Sequence, residues 1–338
     1  MARTSWLRLI LLALMWGSSF LWIKIALDGL SPVRITQGRL VLGAALLLGL
    51  CAVTRRRLPA GRAVWGHLLV LSLFANAVPF ALFGYGEQTV DSGLAGVLNS
   101  TTPLWTVAAA LVARQERRPG PLRLAGLGLG FAGTVLILAP WQGAGGSLLG
   151  AVLCLAAAMC YGATLVYSAR YVISRGVDPL ALAAAQITTA AGWALLATPV
   201  AGPEPVRLTP AVAGSVVVLG LLGTGYAFVL VNRLLMDEGP TSTSTVTYLL
   251  PVIAVLLGAL TLGERPGWRV LAGMVVVLAG VALAQRRRAP SPGVAALPGL
   301  AALPGLAPSP GVAAAPGGRR TGEPRQTRRR SAAQRDSS

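Results

Sequence analysis

Ten long apolar runs follow one another along the chain, each closed by a short polar or glycine/proline cluster. They fall at about residues 6–27, 33–53, 65–86, 92–113, 121–139, 147–169, 179–200, 211–234, 241–262 and 267–285. The separating clusters include "DGLSP", "RRRLPAGR", "RQERRPGP", "SRGVDP", "MDEGP" and "GERPGW", in which proline and glycine end helices and form turns. Many runs reach the roughly 20 residues needed to cross about 30 Å of hydrocarbon. A backbone in lipid must satisfy its own hydrogen bonds, so the runs predict helices. Barrel strands would be shorter and would alternate apolar with polar residues. The expected fold class is therefore all-α integral membrane, with ten transmembrane helices.

The pattern also repeats. "ERRPGPLRLAGLGLGFAG" begins at Glu116 and "ERPGWRVLAGMVVVLAG" at Glu264, 148 residues later. With Arg118 treated as one insertion, Pro119, Gly120, Leu124, Gly126 and Gly133 meet Pro266, Gly267, Leu271, Gly273 and Gly280. Pro103 aligns with Pro251 in the same register. The reading is two five-helix repeats, 1–140 and 146–285. An odd number of spans per repeat turns the second upside down, the inverted architecture associated with alternating access and a midplane binding site.

Composition sharpens this picture. Hydrophobic residues make up 54% of the 338 and charged residues 12%, about half the charge of a soluble domain. The net charge of +18 does not mark a nucleic-acid binder, because the arginines are scattered between apolar blocks or massed after residue 285. Their placement sets orientation instead. Arg55, Arg56, Arg57 and Arg62, then Arg114, Arg117, Arg118 and Arg123, Arg170 and Arg175, Arg233, and Arg286 to Arg288 all fall on one side with Arg3 and Arg8. The positive-inside rule puts that side, and both termini, in the cytoplasm. Arg3 and Arg8 before an apolar run resemble a signal peptide, but no A-x-A site follows, so a retained first span is expected. Residues 286–338, rich in Pro, Gly, Ala and Arg, read as a disordered cytoplasmic tail.

Chemistry-bearing residues are few. Cys51, Cys154 and Cys160 lie in apolar runs without metal or disulfide spacing, and His67 is the single histidine. No metal, cofactor or catalytic constellation is expected. Pro103 and Pro251 are expected near mid-helix, each freeing the carbonyl four residues earlier, those of Asn99 and Thr247. These carbonyls with Asn99, Thr102, Thr247 and Tyr248 either line a substrate cavity or glue helices together. Arg39 in the second run either snorkels to the surface or anchors an anionic group, and Gln186 is its counterpart in the second half. Trp16, Asn76, Tyr161 and Tyr226 complete the candidate pathway. Lys24 is expected to snorkel, Glu87 and Asp91 to sit at the outer surface, and Glu116 and Glu264 to fix loops or helix starts.

"WGSSFLWIKIALDGLSPVRITQGRLVLGAALLL", "NSTTPLWTVAAALVARQER" and "YLLPVIAVLLGALTLGER" resemble the EamA-type branch of the drug/metabolite transporter superfamily over about residues 7–285. The resemblance implies two five-helix repeats and transport of small metabolites, often export. Two departures stand out: Gln115–Glu116 replaces the family's Gly-Glu pair in the first repeat, and Tyr161–Gly162 replaces its Trp-Gly pair in the second. The expectation is a plasma-membrane carrier of a small organic metabolite, such as an amino acid or related compound, working as monomer or homodimer in a lipid bilayer without nucleic acid. A membrane-embedded enzyme would need clustered acids or histidines. A channel would show flux without saturation, and a sensor or scaffold would need an output domain.

Overall fold

The computed structural model describes residues 3–113, 120–138, 146–172, 177–201, 206–243 and 246–285. The expected tail, Glu116 and Gln115 lie outside the described residues. Those described are helical with short turns, as a chain of apolar runs must be when lipid offers no partners to its backbone. We label the rods α1 (Thr4–Ala26), α2 (Pro32–Val53), α3 (Arg62–Glu87), α4 (Ser92–Val112), α5 (Pro121–Leu138), α6 (Gly146–Tyr171), α7 (Pro179–Leu196), α8 (Pro210–Leu234), α9 (Val246–Thr261) and α10 (Trp268–Gln285). Seven of these are long and apolar enough to cross a membrane. Within α5, α9 and α10 the apolar stretches are shorter. The helix of α8 runs on to Thr243, past the turn expected at "MDEGP".

Several rods are irregular where the sequence is polar or glycine-rich. α1 breaks at Ser18, where the Ser19 hydroxyl turns back onto the Met15 carbonyl at 2.8 Å. α3 contains a π-helical segment, Leu73–Ala77, and α8 contains another, Leu219–Tyr226. Such wide turns inside α-helices are frequent at functional sites. α4 breaks at Ser100–Thr101.

The helices interleave. α1 packs on α8 and α9, while α6 packs on α3 and α4. α2 lies against α7 and α8, and α7 lies also against α3. α4 meets α9, and α5 meets α10. Advancing each label of the first five by five, and returning each of the last five, converts this set of contacts into itself. The α5–α10 seam depends on small residues: a Cβ on Gly280 would overlap the backbone of Gly130, and one on Gly133 would press on Val277. Backbones that close gain dispersion contacts, which replace the hydrophobic effect as the driving force between helices in lipid. Gly126 is buried and presents its carbonyl to the same seam, whereas Gly128 faces open space.

Polar contacts lie at the two ends of the bundle. At one end Arg8 pairs with Asp237 at 2.5 Å and Arg56 with Asp178 at 3.2 Å. At the other, the Arg207 backbone N–H donates to the Gly29 carbonyl at 2.9 Å.

Candidate functional site

The most polar part of the interior lies where α2, α3, α7 and α8 meet. Arg39 on α2 is 4% exposed. Its Nε donates to the Thr224 hydroxyl at 3.2 Å, and its guanidinium lies 3.7 Å above the Phe80 ring. An arginine in the middle of a rod is costly unless it faces the protein and finds partners, and this one does both. It does not snorkel. Gln186 on α7 is 8% exposed, and its Nε2 donates to Asn76 Oδ1 at 2.7 Å. Asn76 is fully buried, and its Nδ2 has no hydrogen-bond partner among the described residues.

These two bonds are mates. Gln186 stands 147 residues after Arg39, and Thr224 stands 148 after Asn76. Each bond joins the second helix of one half to the third helix of the other, and each acceptor sits in a π-helical segment. The aromatic pairs follow the same rule. Trp16 on α1 meets Phe228 on α8 edge-on at 6.2 Å, and Tyr161 on α6 stacks on Phe83 on α3 at 6.0 Å. Both members of the second pair lie 145 residues from their counterparts. The adjacent glycines let the same two helices close on another neighbour: a Cβ on Gly17 would strike Ile253 of α9, and one on Gly162 would strike the backbone at Trp105 and Thr106 of α4. Thr224 was absent from the sequence candidates because a lone threonine in a glycine-rich run carries no signal of its own. Adding the repeat offset to Asn76 would have found it.

The proline pair behaves differently from the expectation. Pro103 is not mid-helix. The rod breaks just before it, so Pro103 falls in the first turn of Thr102–Val112, where a missing N–H leaves no intrahelical bond unmade. The freed Asn99 carbonyl is taken locally by the Thr102 hydroxyl at 2.7 Å, and Trp105 Nε1 reaches back to Thr101 at 3.2 Å across the break. Pro251, by contrast, lies inside α9, as expected. The side chains of Thr247 and Tyr248 lie outside the described residues. Tyr226, at the end of the second π segment, is 42% exposed, apart from the buried cluster.

Charged groups gather at the Arg207 end. Lys24 does not snorkel: its Nζ donates to the carbonyls of Glu87 and Val90 at 2.7 and 2.8 Å, closing the C-terminal turn of α3. Glu264 accepts from the Ser92 and Gly93 backbone N–H groups at 2.7 and 2.9 Å, so it caps the N-terminus of α4 as a loop-fixing carboxylate. A pocket there is lined by Asp91, Leu94, Val255, Glu264 and Val270. It is a crease around that cap, away from the buried cluster. Glu264→Ala should cost about 1 kcal/mol, the worth of a cap, and Glu264→Gln less. Thermal unfolding of the purified protein checks this; equal melting of all three would remove the cap. Glu87 corrects the surface expectation: it is wholly buried, because the chain folds the end of α3 under α1 and α6. Asp91 is exposed, as expected.

Among the described residues, no three His, Cys, Asp or Glu side chains gather as a metal site. His67 Nδ1 lies 2.8 Å from the Tyr167 hydroxyl, and its ring stacks on Tyr171.

Comparison with known proteins gives concordant results. The sequence profile described as the EamA-like transporter family matches residues 4–139 and again 148–285. The chain is 27% identical over 275 residues to the uncharacterized transporter YdfC of Bacillus subtilis, covering 79% of this chain and 86% of that one. It is also 27% identical over 290 residues to the uncharacterized inner membrane transporter YedA of Escherichia coli K12, covering 84% and 92%. A solved crystal structure superposes with a TM-score of 0.60 at 20% identity, over 84% of this chain and 98% of the other. That last likeness concerns the fold alone.

Proposed function

Because the chain belongs to the EamA-like transporter family, we propose that it is a ten-helix secondary carrier of two inverted five-helix repeats. It moves a small organic metabolite, an amino acid or related compound, outward across the plasma membrane by alternating access. The observation that carries this reading is the mated pair of buried bonds, Arg39 to Thr224 and Gln186 to Asn76, each joining one half to the other. Polar groups inside a membrane bundle mark substrate paths by default, and a site built equally from two inverted halves suits a rocking motion. Arg39 is the anchor for an anionic or carboxylate group of the cargo. The surrounding path comprises Trp16, Asn76, Asn99, Thr102, Pro103, Tyr161, Gln186, Thr247, Tyr248 and Pro251. Both termini and the Arg8–Asp237 end face the cytoplasm.

Comparative metabolomics tests the reading. Cells carrying the intact protein, an Asn76→Ala/Thr224→Ala variant, or an empty vector are compared inside and outside. Metabolites should accumulate outside only with the intact protein, and should then show saturable counterflow after reconstitution. In the same cells, a membrane-impermeant thiol reagent should label Asp91→Cys but not Ala60→Cys. Depletion from the medium would reverse the direction, and unsaturable flux would indicate a channel. No difference, with the protein confirmed in the membrane, would leave a scaffold or sensor.

A further inference from the structure

Glu87 is a fully buried carboxyl whose two oxygens both lack a hydrogen-bond partner among the described residues. Its surroundings are tightly closed. A Cβ on the neighbouring Gly86 would run into Cys154 and the Gly150 carbonyl of α6, so α3 and α6 meet without room for solvent at this level. Four ionisable groups act on it: Lys24 from α1, Arg39 from α2, Glu264 from the turn before α10, and Cys154 from α6. Neither cation forms an ion pair with it. Lys24 is committed to the Glu87 and Val90 carbonyls, and Arg39 to Phe80 and Thr224. Glu264 is held by the α4 N-terminus.

A carboxyl buried without hydrogen-bond partners is costly to hold ionised, and a bound proton relieves that cost. We propose that Glu87 is a proton-binding site, and that the proton it holds keeps this end of the bundle closed. Binding takes one proton from water onto a carboxylate oxygen while the α3–α4 turn is open, before it closes over the site. Release returns it to water when the α3–α4 turn opens and water reaches the carboxyl, and the Lys24 ammonium is at hand to steady the carboxylate left behind. A metal cation is a poor alternative occupant. Two cations already face the site, and a metal ion would need a cage of oxygens. That this proton drives cargo rests on the carrier reading above; the site and its switch do not.

The test needs no cargo. Full-length protein in liposomes is titrated with acid and alkali while infrared difference spectra follow protonated carboxyl groups. Wild type should show a protonated carboxyl band at neutral pH that is missing in Glu87→Gln and retained, shifted, in Glu87→Asp. Hydrogen exchange over Gln88 to Ala95, corrected for the intrinsic rate, supplies the second readout. Wild type should open severalfold more at alkaline pH than at neutral pH. Glu87→Gln, a permanent mimic of the protonated acid, should stay closed at both. A wild-type band absent at neutral pH, or equal pH dependence of exchange in wild type and Glu87→Gln, would overturn the proposal. So would displacement of the band by sodium at constant pH. Failure of metabolite transport with these two results intact would sink the carrier reading alone.

Discussion

Transport by an Arg39→Met variant should fall at least tenfold while the folded protein survives, or even gains stability. The two halves of this expectation come from different physics. Met keeps the unbranched apolar stem that packs along α2, so the cavity stays filled. It removes a buried charge that has no carboxylate partner within ion-pair distance among the described residues, and such charges weigh on the folded state. Stability therefore holds or rises. Cargo binding loses a charge-assisted hydrogen bond, about 1.5–3 kcal/mol, and every 1.4 kcal/mol is a factor of ten. Arg39→Lys should fall between the two, since a lysine cannot spread over the Phe80 ring while donating sideways to Thr224. Counterflow rates and melting temperatures of the three proteins separate the outcomes. Full transport by Arg39→Met would take Arg39 out of the cargo path and leave it a packing residue.

The second large effect concerns the frame. Gly280→Leu should destabilise the protein by about 3 kcal/mol, enough to cut the yield of folded material sharply. The first atom of any side chain at 280 would overlap the Gly130 backbone, which has no rotamer to change. The helices must separate along the whole α5–α10 seam. Gly128→Leu is the control: it lies on the partner helix α5, two residues from Gly130, and adds the same volume, with nothing within 4 Å of its Cβ position, so its expected effect is near zero. Fluorescence-detected gel filtration after a heating series reads both. Equal melting of the two variants would show that the seam is not what holds α5 to α10.

Much of the frame was legible in the sequence because lipid makes composition decisive. Unbroken apolar runs have one backbone solution, so the helices followed from length and breakers. Glycines four apart, Gly126 and Gly130, are a legible mark of close helix approach, whereas nothing in the sequence tells that Gly128 beside them faces open space. Other features were hidden for physical reasons. A proline in a sequence does not say whether the helix breaks before it, and at Pro103 three hydroxyl-bearing residues, Ser100, Thr101 and Thr102, supply the local bonds that make a break cheap. Pro251 follows "YLL", which cannot do this, and stays within its helix. Glu87 looked like a surface acid because it stands two residues before a turn of Thr, Val and Asp. Its burial depends on α1 and α6, which are remote in sequence. Lys24 and Arg39 looked free to snorkel for the same reason, since their acceptors come from α3 and α8.

The crossed bonds also bear on whether the two halves can be separated. Asn76 finds its donor only on the other half of the molecule, and so does Arg39 its threonine. Were the chain severed between α5 and α6, each fragment would carry into the lipid an orphaned polar side chain that only the other fragment satisfies. The two halves thus depend on one another. A change at 39 or 186 is felt at once by what stands at 224 or 76, and neither half can be altered at these bonds without consequence for the other.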